Sequence, residues 1–383
     1  MGGGEYERIL EQPEEARVYK VGKDEELKTI NEALVQWKGS DEHAVIEITD
    51  SNVYDEQISI EFQEGQQSLQ LRAGNSCRPV IRLADRQPDR PDAFTVMGAG
   101  CSRFTLDGVL VFGRGLQIDG ELAELTIRHS TLVPHWTLEP PKSIEQNTDF
   151  LSPSLEIFSP KVSVRIEHSI LGPIQVDPVL PEPVSWDKQA ERNSIDEEVV
   201  QAKCQGIHPE VRLDPIRICI EDSILDATEP EREVLGAPGC PVAHAVVTIV
   251  RSTVIGQIQT HAVELGENSI FYGQMKVARR QIGCLRFCYV WPESRTPKRY
   301  RCQPDLVKSV IPENCSEKDS KRKQEITRIR PRFNSLRYGT PTYCQLANDC
   351  AEEIKRGARM MKRKWVCFTI SISPSGWRIF GCA

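Results

Sequence analysis

The sequence predicts an all-β solenoid: short parallel strands stacked on one another, with a helix covering the N-terminal end and an irregular C-terminal segment. Three observations predict it. One strand-and-turn phrase returns along the chain, nothing between Ala44 and Val290 reads as a long amphipathic helix, and Gly and Asn punctuate short alternating runs. The phrase is apolar, any residue, apolar, two polar residues, Ser, then two apolar residues. Its copies are Leu125-Thr126-Ile127-Arg128-His129-Ser130-Thr131-Leu132, Val164 to Leu171, Ile218 to Leu225 and Val247 to Val254, with a looser one ending in Asn268-Ser269-Ile270-Phe271. A strand that recurs without intervening helices excludes a doubly wound α/β fold.

In chain order, residues 1–26 are acidic and read as loosely held. Leu27, Ile30, Leu34 and Trp37 share one helical face, and Gly39 would end that helix. A helix here suits the N-terminal end of a stack, where an open strand edge needs cover. These residues, 1–43, form the first segment. Strands follow from Ala44: Val45-Ile46-Glu47-Ile48, Ile58 to Phe62, Leu69 to Leu71, Val80 to Leu83 and Phe104 to Leu106. The solenoid is expected over 44–290.

The repeat serines set the period. Ser252 to Ser269 is 17 residues and Ser223 to Ser252 is 29, whereas Ser130 to Ser169 is 39 and Ser169 to Ser223 is 54. The two long gaps are expected to hold both extra coils and insertions. Asp177 to Asp214, rich in Pro and charge and containing Trp186, reads as a loop thrown out from the stack. Asp319 to Arg332 is charged without apolar periodicity and reads as a flexible link within a C-terminal segment, 291–358.

Strand phase assigns directions. Val164 and Ile166 point inward, Arg165 and Glu167 outward. Ser130, Ser169, Ser223 and Ser252 form a structural column at a tight bend, preceded by a column of His129, His168, Asp222 and Arg251. The serines satisfy backbone groups rather than act as nucleophiles, since no G-x-S-x-G elbow surrounds them.

At these residues the chain resembles a right-handed parallel β-helix of the pectin-lyase-like type. More narrowly it resembles a family of uncharacterised bacterial β-helix proteins associated with phage-tail-like, contractile-injection gene clusters. The resemblance rests on Glu167-His168-Ser169-Ile170-Leu171-Gly172, Asp222 to Thr228, Ala278-Arg279-Arg280-Gln281, Ser294-Arg295-Thr296-Pro297, Arg299 to Asp305 and Arg337-Tyr338-Gly339. It runs from about residue 30 to Ala358 and implies fold more than function. Beyond Ala358 the chain departs from it. Arg359 opens the basic run Met360-Met361-Lys362-Arg363-Lys364-Trp365, whereas an acidic stretch is usual there. Read back into codons, the tail gives such a stretch in another frame, so residues 359–383 are expected to be a frameshift product.

Function is less legible. The net charge of −7 argues against a global nucleic-acid or anionic-membrane partner, and no run approaches a membrane span. The start, Met1-Gly2-Gly3-Gly4-Glu5-Tyr6, has no basic or apolar leader, so a cytoplasmic location is expected. Of 13 cysteines, Cys284, Cys288, Cys302 and Cys315 lie closest together, but their spacing matches no zinc pattern. Neither a metal nor another cofactor is expected. Two readings remain. One is a non-enzymatic structural or recognition protein with protein partners in a larger assembly, and a glycan as a further candidate partner. Its interface would be the Arg-aromatic stretch of Arg279, Arg280, Arg286, Tyr289, Trp291, Arg295, Arg299, Tyr300 and Arg301, which could equally pack within the chain. The other is a carbohydrate-active enzyme, a polysaccharide lyase or glycoside hydrolase using Glu167, Glu221 or Asp222 as acid and base. The changing residue types along the outward column favour the first.

Overall fold

The computed structural model describes residues 10–37, 42–83, 94–133, 153–159, 161–177, 214–238, 242–311, 318–355, 368–373 and 376–381. The protein is all-β, with mostly parallel strands and few helices. Among the described residues there are a sixteen-stranded sheet, a nine-stranded sheet and an antiparallel pair, Phe368–Ser373 with Gly376–Gly381. The repeated phrases pair in parallel and in register: Ile218 with Val164 and Val247, Ile220 with Ile166 and Ile249, Glu221 with Glu167 and Val250.

Among the described residues, three long strands divide between two neighbours; Phe94–Asp107 does so between Ile58–Glu61 and Ser68–Ala73. Leu116–Arg128 pairs through its first residues with Leu155–Ile157 and through its last with Ser163–Glu167. Gln257–Glu267 divides in the same way between Glu233–Gly236 and Ala243–Val250. The pairing path between Leu116–Arg128 and Gln257–Glu267 therefore closes into an eight-strand parallel ring, where the sequence predicts an open stack.

Inside lies one apolar cluster. Phe94, Phe104, Leu106, Ile118, Leu125, Ile127, Ile166, Ile220 and Ile249 are fully buried and come from the inward phase of the alternating strands. Each such side chain contributes about 1.5–3 kcal/mol of burial.

The N-terminal end differs from expectation. Arg17–Val21 is a strand, not a loose segment, and pairs in parallel with His43–Ile48. Tyr19 and Val21 alternate into the core, which was hidden by the acidic composition around them. The helix runs over Ile30–Trp37 and buries Ile30, Ala33, Leu34 and Trp37. It starts where Thr29 and Glu32 form a reciprocal capping box: the Glu32 amide donates to Thr29 Oγ1 at 3.1 Å and the Thr29 amide to Glu32 Oε2 at 3.3 Å. Glu56 accepts from the Ile30 and Asn31 amides, and Trp37 meets Phe62 edge-on at 5.3 Å. Gly39 lies outside the described residues.

Both long gaps between serines are insertions and not extra rows, because Ser130 bonds directly to Ser169 and Ser169 to Ser223. Most of the first insertion, most of the Asp177–Asp214 loop with Trp186, and the junction at 356–367 lie outside the described residues. Parallel pairing continues past Val290 to Lys298–Tyr300. The expected flexible link is instead a helix, Lys318–Arg328. Its Lys, Arg, Gln and Glu are strong helix formers. Arg328 ties it to Glu325 at 2.9 Å and to Glu353 at 2.7 Å, and the fully buried Ile329 just beyond anchors it.

The segment after this helix covers the outer face of the nine-stranded sheet. Ile329, Cys350 and Ile354 pack on Ile270 and Tyr289, while Tyr343 and Cys344 pack on Ile170 and Ile255. Ile170, Ile270 and Tyr289 stand at the outward apolar position of the phrase, and Ile255 lies just past its copy.

Candidate functional site

Each repeated phrase turns through a left-handed residue just before its serine. His129, His168, Asp222, Arg251, Asn268, Phe287 and Arg301 have φ between 47° and 57°. Asn and Asp adopt this conformation readily and His more often than most, whereas Arg and Phe do so at a cost of roughly 1 kcal/mol each. The bend is held by an unbroken ladder. The amides of His129, His168, Asp222 and Arg251 donate to the carbonyls of Glu167, Glu221, Val250 and Glu267 at 2.9–3.1 Å. Beside it runs the serine column. The amides of Ser130, Ser169, Ser223 and Ser252 donate to the hydroxyls of Ser169, Ser223, Ser252 and Ser269 at 3.1–3.2 Å. Each of these hydroxyls donates to the carbonyl two residues back, at 2.6–2.8 Å. Cys288 and Cys302 continue the column, their thiols directed at the carbonyls of Arg286 and Tyr300. In this network the serine hydroxyls accept from and donate to backbone groups of the bend.

The outward column that ends at this bend is a run of charges. Glu47, Arg72, Asp107, Arg128, Glu167 and Glu221 occupy matching positions in successive rows. Arg72 pairs with Glu47 at 2.6 Å and Arg128 with Asp107 at 3.0 Å. The Glu167 and Glu221 strands are immediate neighbours, so the two carboxylates stand in adjacent rows. Both are engaged: Glu167 by Arg165, Glu221 by Arg251 at 3.3 Å. Asp222 accepts two bonds from Arg251, each 2.8 Å, and His168 Nδ1 lies 3.8 Å from it. Burial, then Glu221, pushes the neighbouring Cys219 thiol up to about 11, so it is no nucleophile at neutral pH. Each proposed catalytic carboxylate thus sits in an ion pair. Among the described residues, no group of three or more His, Cys, Asp or Glu side chains could hold a metal ion.

The Arg-aromatic stretch divides between the interior and the surface. Tyr289 is buried beneath the C-terminal segment and Trp291 packs against that segment. Arg299 is spent on Thr296 Oγ1 at 2.7 Å, the Ser294 carbonyl at 2.7 Å and Asp305 at 3.4 Å. Arg286 pairs with Glu267 at 2.8 Å. Arg279, Arg280, Arg295, Tyr300 and Arg301 remain at the surface. They are joined by Phe287, 39% exposed, whose ring meets that of Tyr300, 56% exposed, edge-on at 5.8 Å. Arg301 lies over the Tyr300 ring at 5.5 Å.

Sequence reasoning missed the groups that join the C-terminal segment to the sheets. The Tyr343 hydroxyl donates to Asp226 Oδ2 at 2.6 Å, and Asp226 is 8% exposed. Burial raises the Asp226 carboxyl above its ordinary range, while Tyr343 and the Thr228 amide oppose that shift. Arg330, Phe333 and Tyr272 form a second contact. No local pattern marks these residues; only their distance partners do.

Compared with family models, curated proteins and solved structures, the chain matches none. No helix among the described residues is long and apolar enough to cross a membrane.

Proposed function

We propose that the chain is a right-handed parallel β-helix of the pectin-lyase-like type that serves as a rigid recognition element within a larger protein assembly. In-register pairing of successive copies of one phrase supports the fold. On this reading the eight-strand ring is two faces of the helix joined where two long strands bend. The family resemblance points to a phage-tail-like particle as the setting.

One observation carries the function. The left-handed corner is polar from His129 to Asn268 and then carries an exposed aromatic residue, Phe287, against Tyr300. Phe287 keeps a large ring exposed to water, in a costly backbone conformation, with an edge-on contact to Tyr300 in the next row. Clustered aromatic and Arg side chains are the composition of a protein-docking patch. In a capture experiment from native lysate, the immobilised full chain is expected to retain specific partners. The double variant Phe287→Ala/Tyr300→Ala should lose them at least tenfold with an unchanged melting temperature. Recovery of the chain alone, or of the same partners on both baits, would overturn the proposal.

The adjacency of Glu167 and Glu221 favours a second reading, a carbohydrate-active enzyme. Neighbouring strands place such carboxylates about 4.8 Å apart, near the roughly 5 Å of a retaining glycosidase pair. Their ion pairs with Arg165 and Arg251 weigh against it.

A further inference from the structure

Where the C-terminal segment meets the nine-stranded sheet it leaves a cleft of about 460 Å³, lined by Tyr272, Arg330, Phe333, Leu336, Ala347 and Asp349 among others. Small-molecule sites occupy about 300–1,000 Å³. The cleft contains one arginine in an unusual setting. The Arg330 guanidinium lies 4.5 Å above the centre of the Trp291 ring and 5.2 Å from that of Tyr272. Tyr272 is itself fixed edge-on by Trp291 at 5.3 Å and by Phe333 at 5.4 Å. Rings hold a guanidinium by its faces and leave the N–H edge available. Among the described residues no carboxylate pairs with Arg330. Arg332 nearby differs: it is satisfied by Asp349 at 2.7 Å.

We propose that this cleft is a binding site for a small organic monocarboxylate carried on an apolar body. Three features select that class. The fork of an arginine matches a planar carboxylate through two parallel bonds. Phe333, Leu336 and Ala347 supply an apolar wall for the body of the ligand. Among the described lining residues Arg330 is the cation without a carboxylate, since Arg332 is matched by Asp349, so one negative charge suits the cleft better than a phosphate dianion. The site is separate from the exposed Phe287–Tyr300 patch and does not depend on it.

Titrating the full chain with benzoate, benzamide and inorganic phosphate at constant ionic strength tests this, read by calorimetry and by tryptophan fluorescence. Benzoate should bind saturably, with benzamide and phosphate at least tenfold weaker. Arg330→Lys keeps a cation above the rings but loses the fork, and Arg330→Gln loses both. Each should weaken benzoate at least tenfold. If Arg330→Gln does not fold, Arg330→Lys decides. Absence of saturation by benzoate, equal binding by a folded Arg330 variant, or phosphate binding as tightly as benzoate would each overturn the proposal.

Discussion

Ser223→Ala is expected to lower the unfolding free energy by about 2 kcal/mol, a large effect for the loss of one oxygen. The Ser223 hydroxyl is the acceptor for the Ser169 amide at 3.1 Å. Ser169 is 1% exposed, so water cannot replace that acceptor. An orphaned buried donor costs about 1–3 kcal/mol. The Glu221 carbonyl, which also loses a bond, keeps the His168 amide at 3.1 Å, so the cost falls on one group. Ser223→Cys should cost less than Ser223→Ala, because the chain itself uses Cys288 and Cys302 farther along the column and the Ser269 amide bonds to Cys288. Because the two serines touch, Ser169→Ala and Ser223→Ala together should depart from additivity. Urea unfolding of Ser223→Ala, Ser223→Cys, Ser169→Ala and the double alanine variant measures this. A loss below about 0.5 kcal/mol for Ser223→Ala, or a larger loss for the cysteine, would contradict the column's role.

Tyr343→Phe is the second large effect, and it depends on pH. It removes a side-chain donor from a carboxyl that is almost wholly buried. A cost of about 1–3 kcal/mol is expected, with loosening of the C-terminal segment. Asp226 has a folded-state pKa raised by burial. Below the ordinary carboxylate range both states hold the proton and its contribution is whole. As pH climbs from there through the raised folded value, the unfolded chain releases its proton first, and stability falls. Tyr343 favours the ionised form, so its loss should deepen that fall. Asp226→Asn, which has no proton to lose, should flatten it. Melting temperature against pH for the wild type and both variants is the measurement. A fall of the same depth in Asp226→Asn would show that another group is responsible.

What was legible in the chain follows the range of the interactions. The alternation of Val164, Ile166, Ile218 and Ile220 is local and period-two, so strand phase, the inward set and the outward Glu167 and Glu221 could all be read directly. The serines were read as a bend for the same reason. That His168 and Ser169 adjoin Asp222 and Ser223 in the next row was obscured by the 54 residues between the two serines. Cys288 and Cys302, which continue the column, are legible in the sequence only as members of a cysteine group without zinc spacing, because substitution and altered spacing break the phrase. Tyr343 lies 117 residues from Asp226 and belongs to no repeat, so nothing local announces their bond. The helix Lys318–Arg328 was missed because it shows no apolar stripe; Ile329 and the ion pairs of Arg328 hold it instead. Within the Arg-aromatic stretch, composition flagged the right region but could not separate Tyr289 and Trp291, which face the C-terminal segment, from Phe287 and Tyr300, which face water.

The central claim is that the repeated phrase builds a scaffold whose outward carboxylates are committed to ion pairs, leaving function to the surface near its C-terminal end. Release of products from polyuronides and bacterial glycans by the purified full chain, with Glu167→Gln and Glu221→Gln alongside, tests it most directly. The account predicts no product from any of the three. Product from the wild type that is abolished in either variant would contradict it.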